Sequence, residues 1–171
     1  MSVILAIDPG TTESGVVIVD SETYKPVFCG KFRNDMVLEI CYESTYDKAT
    51  IEMIQYYGKF MSAGQTTFDT CVWIGRFIEA IATREITAEL SYRATIKAYI
   101  TGMASAKDGQ VKQVLIDRFA KGAGNHGKGT KKYPGWFYGF AADAWQAYAL
   151  AVFWIDTHKQ QDCNKLVTEG E

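Results

Sequence analysis

The 171-residue chain has only four cysteines, Cys29, Cys41, Cys71 and Cys163, and no CxxC pair among them. That spacing gives neither a zinc site nor a disulfide framework, so a reduced, cytoplasmic setting is expected. No apolar run is long enough to span a bilayer, and the N-terminus lacks the charged-then-apolar form of a signal peptide, so no membrane role is expected. Internal repeats and low-complexity linkers are absent too. One domain is therefore expected over residues 1–160, with 161–171 as a tail. A strong excess of one charge is also missing. The net charge of −2 gives no global sign of nucleic-acid binding, while 47% hydrophobic against 22% charged residues excludes disorder.

One local absence says more than the totals. Residues 119–142 contain no acid, yet include Lys121, Lys128, Lys131 and Lys132. A basic stretch on a near-neutral chain suits a phosphate-facing edge. Within it, KGAGNHGKGTKK reads either as a solvated connector or as a mobile arm along phosphates. Glycine permits close backbone approach, and Lys128, Lys131 and Lys132 would neutralise charge. His126 in that loop is either simply exposed or an aid to a leaving group.

What is present begins with VILAI, which ends on Asp8 and breaks into Pro-Gly-Thr-Thr before a second apolar run at Val16–Val19. That pattern predicts strand, loop, strand. A third strand over 25–32 extends the hairpin into a meander. A short helix over 34–41 follows, capped by Asn34 or Asp35, and then a buried strand over 49–54 bearing Glu52. Residues 56–65 read as a loop. Helical spacing over 66–82 puts Val72, Ile74, Phe77, Ile78 and Ile81 on one side. A last strand near Leu90, helices over 94–100 and 109–119, and a final helix over 140–156 complete an α/β chain. The expected architecture is a mixed central sheet flanked by helices.

Three acids sit oddly in this pattern. Asp8 ends an apolar strand, Glu52 lies inside ATIEMI, and Asp143 interrupts AADAWQAYALAVFWI, a helix apolar around nearly its whole circumference. An ionised carboxylate in such surroundings costs several kcal/mol unless paired or bound to a metal. Each has a plainer reading as turn former or salt-bridge partner. Together they favour one semi-buried site in which a hard cation such as Mg²⁺ relieves their repulsion.

The chain resembles the RuvC-type Holliday-junction resolvases of the RNase H-like superfamily. AIDPGTTESG is similar to the family's opening motif, and WIGRFIEAI to its GQARG-type helix. IKAYITGMASAKDGQVKQVL resembles its VTG-like turn and KxQV helix, and DAWQAYALA its closing DAADALA motif, in that order over most of residues 3–155. The resemblance implies an RNase H-like fold and a homodimer, in a bacterial or phage-infected cell. The implied activity is an Mg²⁺-dependent endodeoxyribonuclease, with Mn²⁺ able to substitute and two ions per site, that resolves four-way DNA junctions by paired nicks. It implies metal ligands at Asp8, Glu52 and Asp143, and DNA contacts at Lys97 and Lys107. Tyr56 and Tyr57 stand nearest the family's stacking aromatic, offset by one or two positions.

One departure is evident. The family closes with two acids, or an acid and a histidine, three apart. Here Gln146 takes the second position if Asp143 is the first, and Phe140 takes the first if Asp143 is the second. The alanines at 147, 149 and 151 favour Gln146, a poor Mg²⁺ ligand. The compact region before Glu52 hints at a phage-borne version. Rival readings are a RuvC-like nuclease acting on ribosomal RNA precursors and a junction-binding module with weakened catalysis. A sugar-kinase or actin-like ATPase, which shares the Asp-x-Gly-Thr-Thr opening, would need a second domain.

Overall fold

The computed structural model describes residues 2–55 and 64–168, with side chains of the last helix described as far as 161. Tyr56 and Tyr57 lie outside the described residues. Five strands form one mixed sheet: β1 (Val3–Asp8), β2 (Glu13–Asp20), β3 (Pro26–Arg33), β4 (Lys48–Met53) and β5 (Ala88–Tyr92). Their order is β3-β2-β1-β4-β5. β1, β2 and β3 make the antiparallel meander, and β4 and β5 run parallel to β1. Five helices complete the fold: α1 (Asn34–Glu43), α2 (Gln65–Ala82), α3 (Arg93–Thr101), α4 (Asp108–Phe119) and α5 (Ala142–Thr168).

The period-2 alternation of the strands divides the core in two. Leu5, Ile7, Val16, Ile18, Ala49 and Ile51 pack against α1 and α2. Ile4, Ala6, Val17 and Val19 point to the other face, under α5 and α4. Residues 144–152 of α5 are all buried, which explains a helix apolar around its circumference. Among the described residues no helix is long and apolar enough to cross a membrane.

Four local expectations need correcting. In α2, Ile74, Phe77 and Ile81 are buried, but Val72 is 62% exposed. Two residues before Ile74 is roughly 200° around a helix, so Val72 cannot share that face. In α1 the cap position is Arg33, without a side-chain cap bond, while Asn34 is the first helical residue and is buried. The last helix starts at Ala142 rather than 140, because Phe140 is drawn into an aromatic cluster with Phe137, Trp145 and Tyr148. It then runs unbroken to Thr168, well beyond the end expected at 156. Nothing in THKQQDCNKLVT is a helix breaker.

Far from the Asp8 end, α5 is anchored by an ion pair. Arg118 of α4 donates two hydrogen bonds to Asp156, at 2.6 and 2.9 Å, and the Tyr24 hydroxyl donates a third at 2.7 Å. Against the cost of burial, these partners hold the Asp156 carboxyl below the usual carboxylate range. Because the folded value is depressed, its stabilisation is present above the unfolded pKa of about 3.8 and is lost as pH falls through the folded value. Asp156→Asn should lower stability by on the order of 2 kcal/mol at neutral pH, less than for a fully buried pair because Arg118 is partly solvated. The deficit should vanish on acidification below the carboxylate range. Urea titrations at pH 7 and pH 3 check it, and equal midpoints for both proteins at pH 7 would contradict it.

Candidate active site

The sheet register assembles the acids. Asp8 is the last residue of β1 and pairs with Gly15 of β2, while Ile7 pairs with Ile51 of β4. Glu52 is one residue further along β4, so both carboxylates sit at the same edge of the sheet. By alternation both share the face of Ile4, Ala6 and Thr50, the face covered by α5. Gly15 lies on that face too. A Cβ at Gly15 would lie 2.4 Å from the backbone oxygen of Asp143. Glycine thus lets the first turn of α5 rest on β2 directly opposite Asp8.

The loop after Asp8 is tied down from α1. Asn34 donates from Nδ2 to the Gly10 carbonyl at 2.9 Å, and its Oδ1 accepts from the Ser14 hydroxyl at 2.6 Å. The Asn34 amide also donates to the Thr12 carbonyl at 2.9 Å. The Pro-Gly-Thr-Thr segment is therefore a fixed turn, and Asp8 is held at a rigid edge.

Positive charge reaches these acids from Lys97 and from two groups that the sequence pattern did not single out, Arg93 and Lys31. Arg93, first residue of α3, places Nη1 3.1 Å from Glu52 Oε1 and 3.9 Å from Asp8 Oδ1, with Nη2 3.4 Å from Asp108 Oδ2. Lys97 lies 2.9 Å from Asp108. Lys31 of β3 lies 2.8 Å from Asp143 and 3.4 Å from Glu13. Burial and the neighbouring Glu52 charge push the Asp8 carboxyl up to about 8, against the pull of Arg93, with Asp143 and Asp108 adding to the rise. Glu52 is likewise raised by burial, opposed by Arg93 and Lys97. Hydrogen bonding from Lys97 and the charge of Arg93 outweigh burial at Asp108 and hold it low.

Asp8 and Glu52 are thus brought together, with Asp143 seated across Gly15 from Asp8. Among the described residues no group of three His, Cys, Asp or Glu side chains is placed to hold a metal ion. Instead Arg93 bonds Glu52 and lies 3.9 Å from Asp8, and Lys31 holds Asp143 from β3. Asp143 is also not enclosed by the apolar helix, since it lies in the first turn with its side chain 35% exposed. Gln146 is buried and lines a cleft of about 420 Å³ with Arg93, Asp108, Lys112, Lys128 and Asp143. Phe140 belongs to the aromatic core, so position 146 is the one that faces the site.

Among the expected DNA contacts, Lys97 has a side chain 16% exposed and paired with Asp108 at 2.9 Å. Lys107 is exposed at the start of α4, its amide bonded to Gln110 Oε1 at 2.8 Å. Lys131 and Lys132 are exposed on the basic loop. That loop is folded on itself rather than extended. A short 3-10 turn (Asn125–Gly127) carries an exposed His126, and Gly129 bridges to Pro134. Gly129 has φ +67° and a Cβ there would lie 2.3 Å from the Tyr133 carbonyl, so glycine is required.

No family model and no curated protein sequence matches this chain. Solved structures do resemble it, among them two of RuvC. RuvC from Thermus thermophilus matches with a TM-score of 0.61 at 16% identity, over 87% of this chain and 90% of that one. RuvC from T. thermophilus in complex with a Holliday-junction substrate matches with a TM-score of 0.62 at 14% identity, over 88% and 91%. The chain therefore has a RuvC-like, RNase H-like fold.

The glycine that seats α5 offers a direct test. Gly15→Ala should force the Asp143 turn off β2 and cost roughly 1–3 kcal/mol, the usual range for overpacking. Thermal melting reads it, and an unchanged midpoint would show that the two backbones are not pressed together.

Proposed function

We propose that this chain is a divalent-metal-dependent endodeoxyribonuclease that acts on four-way DNA junctions as a homodimer, making paired symmetric nicks. The carrying observation is the pairing of two carboxylates, the largely covered Asp8 and the buried Glu52, at the ends of neighbouring inner strands of a RuvC-like sheet, with Asp143 seated across Gly15 from Asp8. Five carboxylates (Asp8, Glu13, Glu52, Asp108 and Asp143) share three cations, Arg93, Lys97 and Lys31. An all-oxygen donor set short of positive charge fits a hard cation such as Mg²⁺, with Mn²⁺ as a substitute. Asp8, Glu52 and Asp143 would hold it, and Gln146 would supply only a neutral amide oxygen to any second ion. Bound there, such an ion supplies Lewis acidity towards a phosphodiester and lowers the pKa of a water.

The remaining work falls to the chain. The tied turn after Asp8 fixes one carboxylate, and pre-organisation of this kind is what in-line chemistry needs. Lys128 lines the cleft beside Asp143, and Lys107, Lys131 and Lys132 offer exposed ammonium groups for phosphates. A two-fold pair would present two such sites to the two symmetric strands of a junction. A second reading, a junction-binding module with weakened catalysis, is favoured by Arg93 on Asp8 and Glu52 and by Gln146 in place of an acid.

A four-way DNA junction with Mg²⁺ or Mn²⁺ tests both. The nuclease reading expects paired nicks from the native chain. Asp8→Asn should lose activity beyond the roughly 10- to 100-fold typical of an outer partner of a metal ligand, while junction binding survives. Undiminished nicking by Asp8→Asn would overturn the assignment. Binding without nicking by the native chain, with cleavage gained in Gln146→Asp, would favour the module. Preference for structured RNA precursors would move the substrate class instead.

Junction binding measured against salt separates the lysines. Lys107→Ala and Lys128→Ala should each flatten the salt dependence by about one counterion, whereas Lys97→Ala should leave it unchanged because that ammonium is engaged by Asp108. A flattened slope for Lys97→Ala alone would reverse these roles.

A further inference from the structure

Arg93 has no part in the nuclease scheme above, yet it touches more of the site than any other side chain. It reaches three carboxylates, those of Asp8, Glu52 and Asp108. It also walls two clefts. One, of about 420 Å³, contains Asp108, Lys112, Lys128, Asp143 and Gln146. The other, of about 300 Å³, contains Glu52, Gln55, Lys97 and Ala104. A guanidinium is planar and permanently charged, with donors on separate nitrogens. Here one nitrogen serves Glu52 and Asp8 while the other is held by Asp108. Asp108 is itself fixed by Lys97 and by its place in the first turn of α4, where a helix favours negative charge. Arg93 can therefore leave the buried acids without losing its anchor.

We propose that Arg93 is a resident counter-cation that exchanges with the divalent ion: it neutralises Asp8 and Glu52 in the metal-free protein, yields them on metal loading, and swings on its Asp108 tether into the Lys112–Lys128 cleft to take a substrate phosphate. The proposal rests on the reading of Asp8 and Glu52 as metal ligands. One guanidinium cannot neutralise the acids and a phosphate at once. Metal and DNA must then favour each other's binding, reciprocally and by the same factor. An Arg93 that merely buttresses the fold would give no such coupling.

The test is Mn²⁺ binding to the DNA-free protein, followed by the paramagnetic signal of free Mn²⁺, for the native chain, Arg93→Gln, Arg93→Lys and Asp8→Asn. Removing the competing charge in Arg93→Gln should tighten Mn²⁺ by about tenfold or more, within the usual span of site–site coupling. Melting in a chelator should fall for this variant, and its gain in midpoint on adding Mn²⁺ should exceed that of the native chain. Arg93→Lys keeps the charge but not the two-nitrogen reach, and should tighten Mn²⁺ by a smaller factor, which keeps the test open should Arg93→Gln fail to fold. Mn²⁺ affinity that is unchanged or weaker in both Arg93 variants, with binding abolished in Asp8→Asn, would overturn the exchange while leaving the metal site standing. Undiminished Mn²⁺ binding by Asp8→Asn would instead remove the metal-ligand reading and the exchange with it.

Discussion

Two carboxylates placed side by side at the end of a buried sheet are the constraint around which this molecule is arranged. The fold puts Asp8 and Glu52 one strand apart on the face covered by α5. Hydrophobic packing pays for that placement, since neither acid gains from it in isolation. Burial alone would drive each to protonate, and Asp8 is indeed pushed up to about 8. Arg93 supplies most of the answer, and it can do so only because β5 runs parallel to β4 and delivers Arg93 just beyond the Glu52–Ser91 pair. The strand order is thus also an electrostatic device.

The two ends of α5 show how differently the same chain treats buried charge. At the Asp156 end, one carboxylate meets one guanidinium and one hydroxyl, and every acceptor is matched. At the Asp143 end, several carboxylates share fewer cations, the nearest cation to Asp8 is 3.9 Å away, and the neutral Gln146 lines the cleft. A matched pair stabilises; an under-compensated cluster stores a demand for more positive charge. This asymmetry along a single helix is what makes the Asp143 end the candidate site.

Much of this was legible in the sequence, and for identifiable reasons. A period of two in VILAID and ATIEM fixes which strand residues share a face, so Asp8 and Glu52 could be read as neighbours once their strands were paired. The all-round apolarity of the last helix announced its burial. Arg93, Asp108 and Lys31 were missed because their roles depend on where elements meet in space: β5 beside β4, α4 against α3, and the first turn of α5 near β3. A signal for Arg93 did exist: a cation immediately after the strand that pairs with the Glu52 strand must emerge at the same sheet edge. Lys31 had no comparable signal, since its position follows a register shift between Ile18 and Val19. Lys97 illustrates another limit. Its place five residues before Gly102 says nothing of α4, and only the approach of that helix reveals Asp108 beside it.

The similarity to RuvC at 16% and 14% identity shows which features such a fold can shed. Packing positions tolerate exchange among apolar residues of similar volume, so a sheet order survives long after motifs fade. Charge balance at a buried edge is less forgiving, because removing one member leaves the others uncompensated. Gln146 lowers the negative charge of the cleft, and Arg93 raises the positive charge of the same wall. Both features act in one direction, narrowing the deficit of positive charge at this cleft without closing it. On the reading of Asp8 and Glu52 as metal ligands, such a site would bind a divalent cation more weakly than one lined by a fourth acid. Its dependence on substrate phosphate to draw Arg93 away would be correspondingly greater.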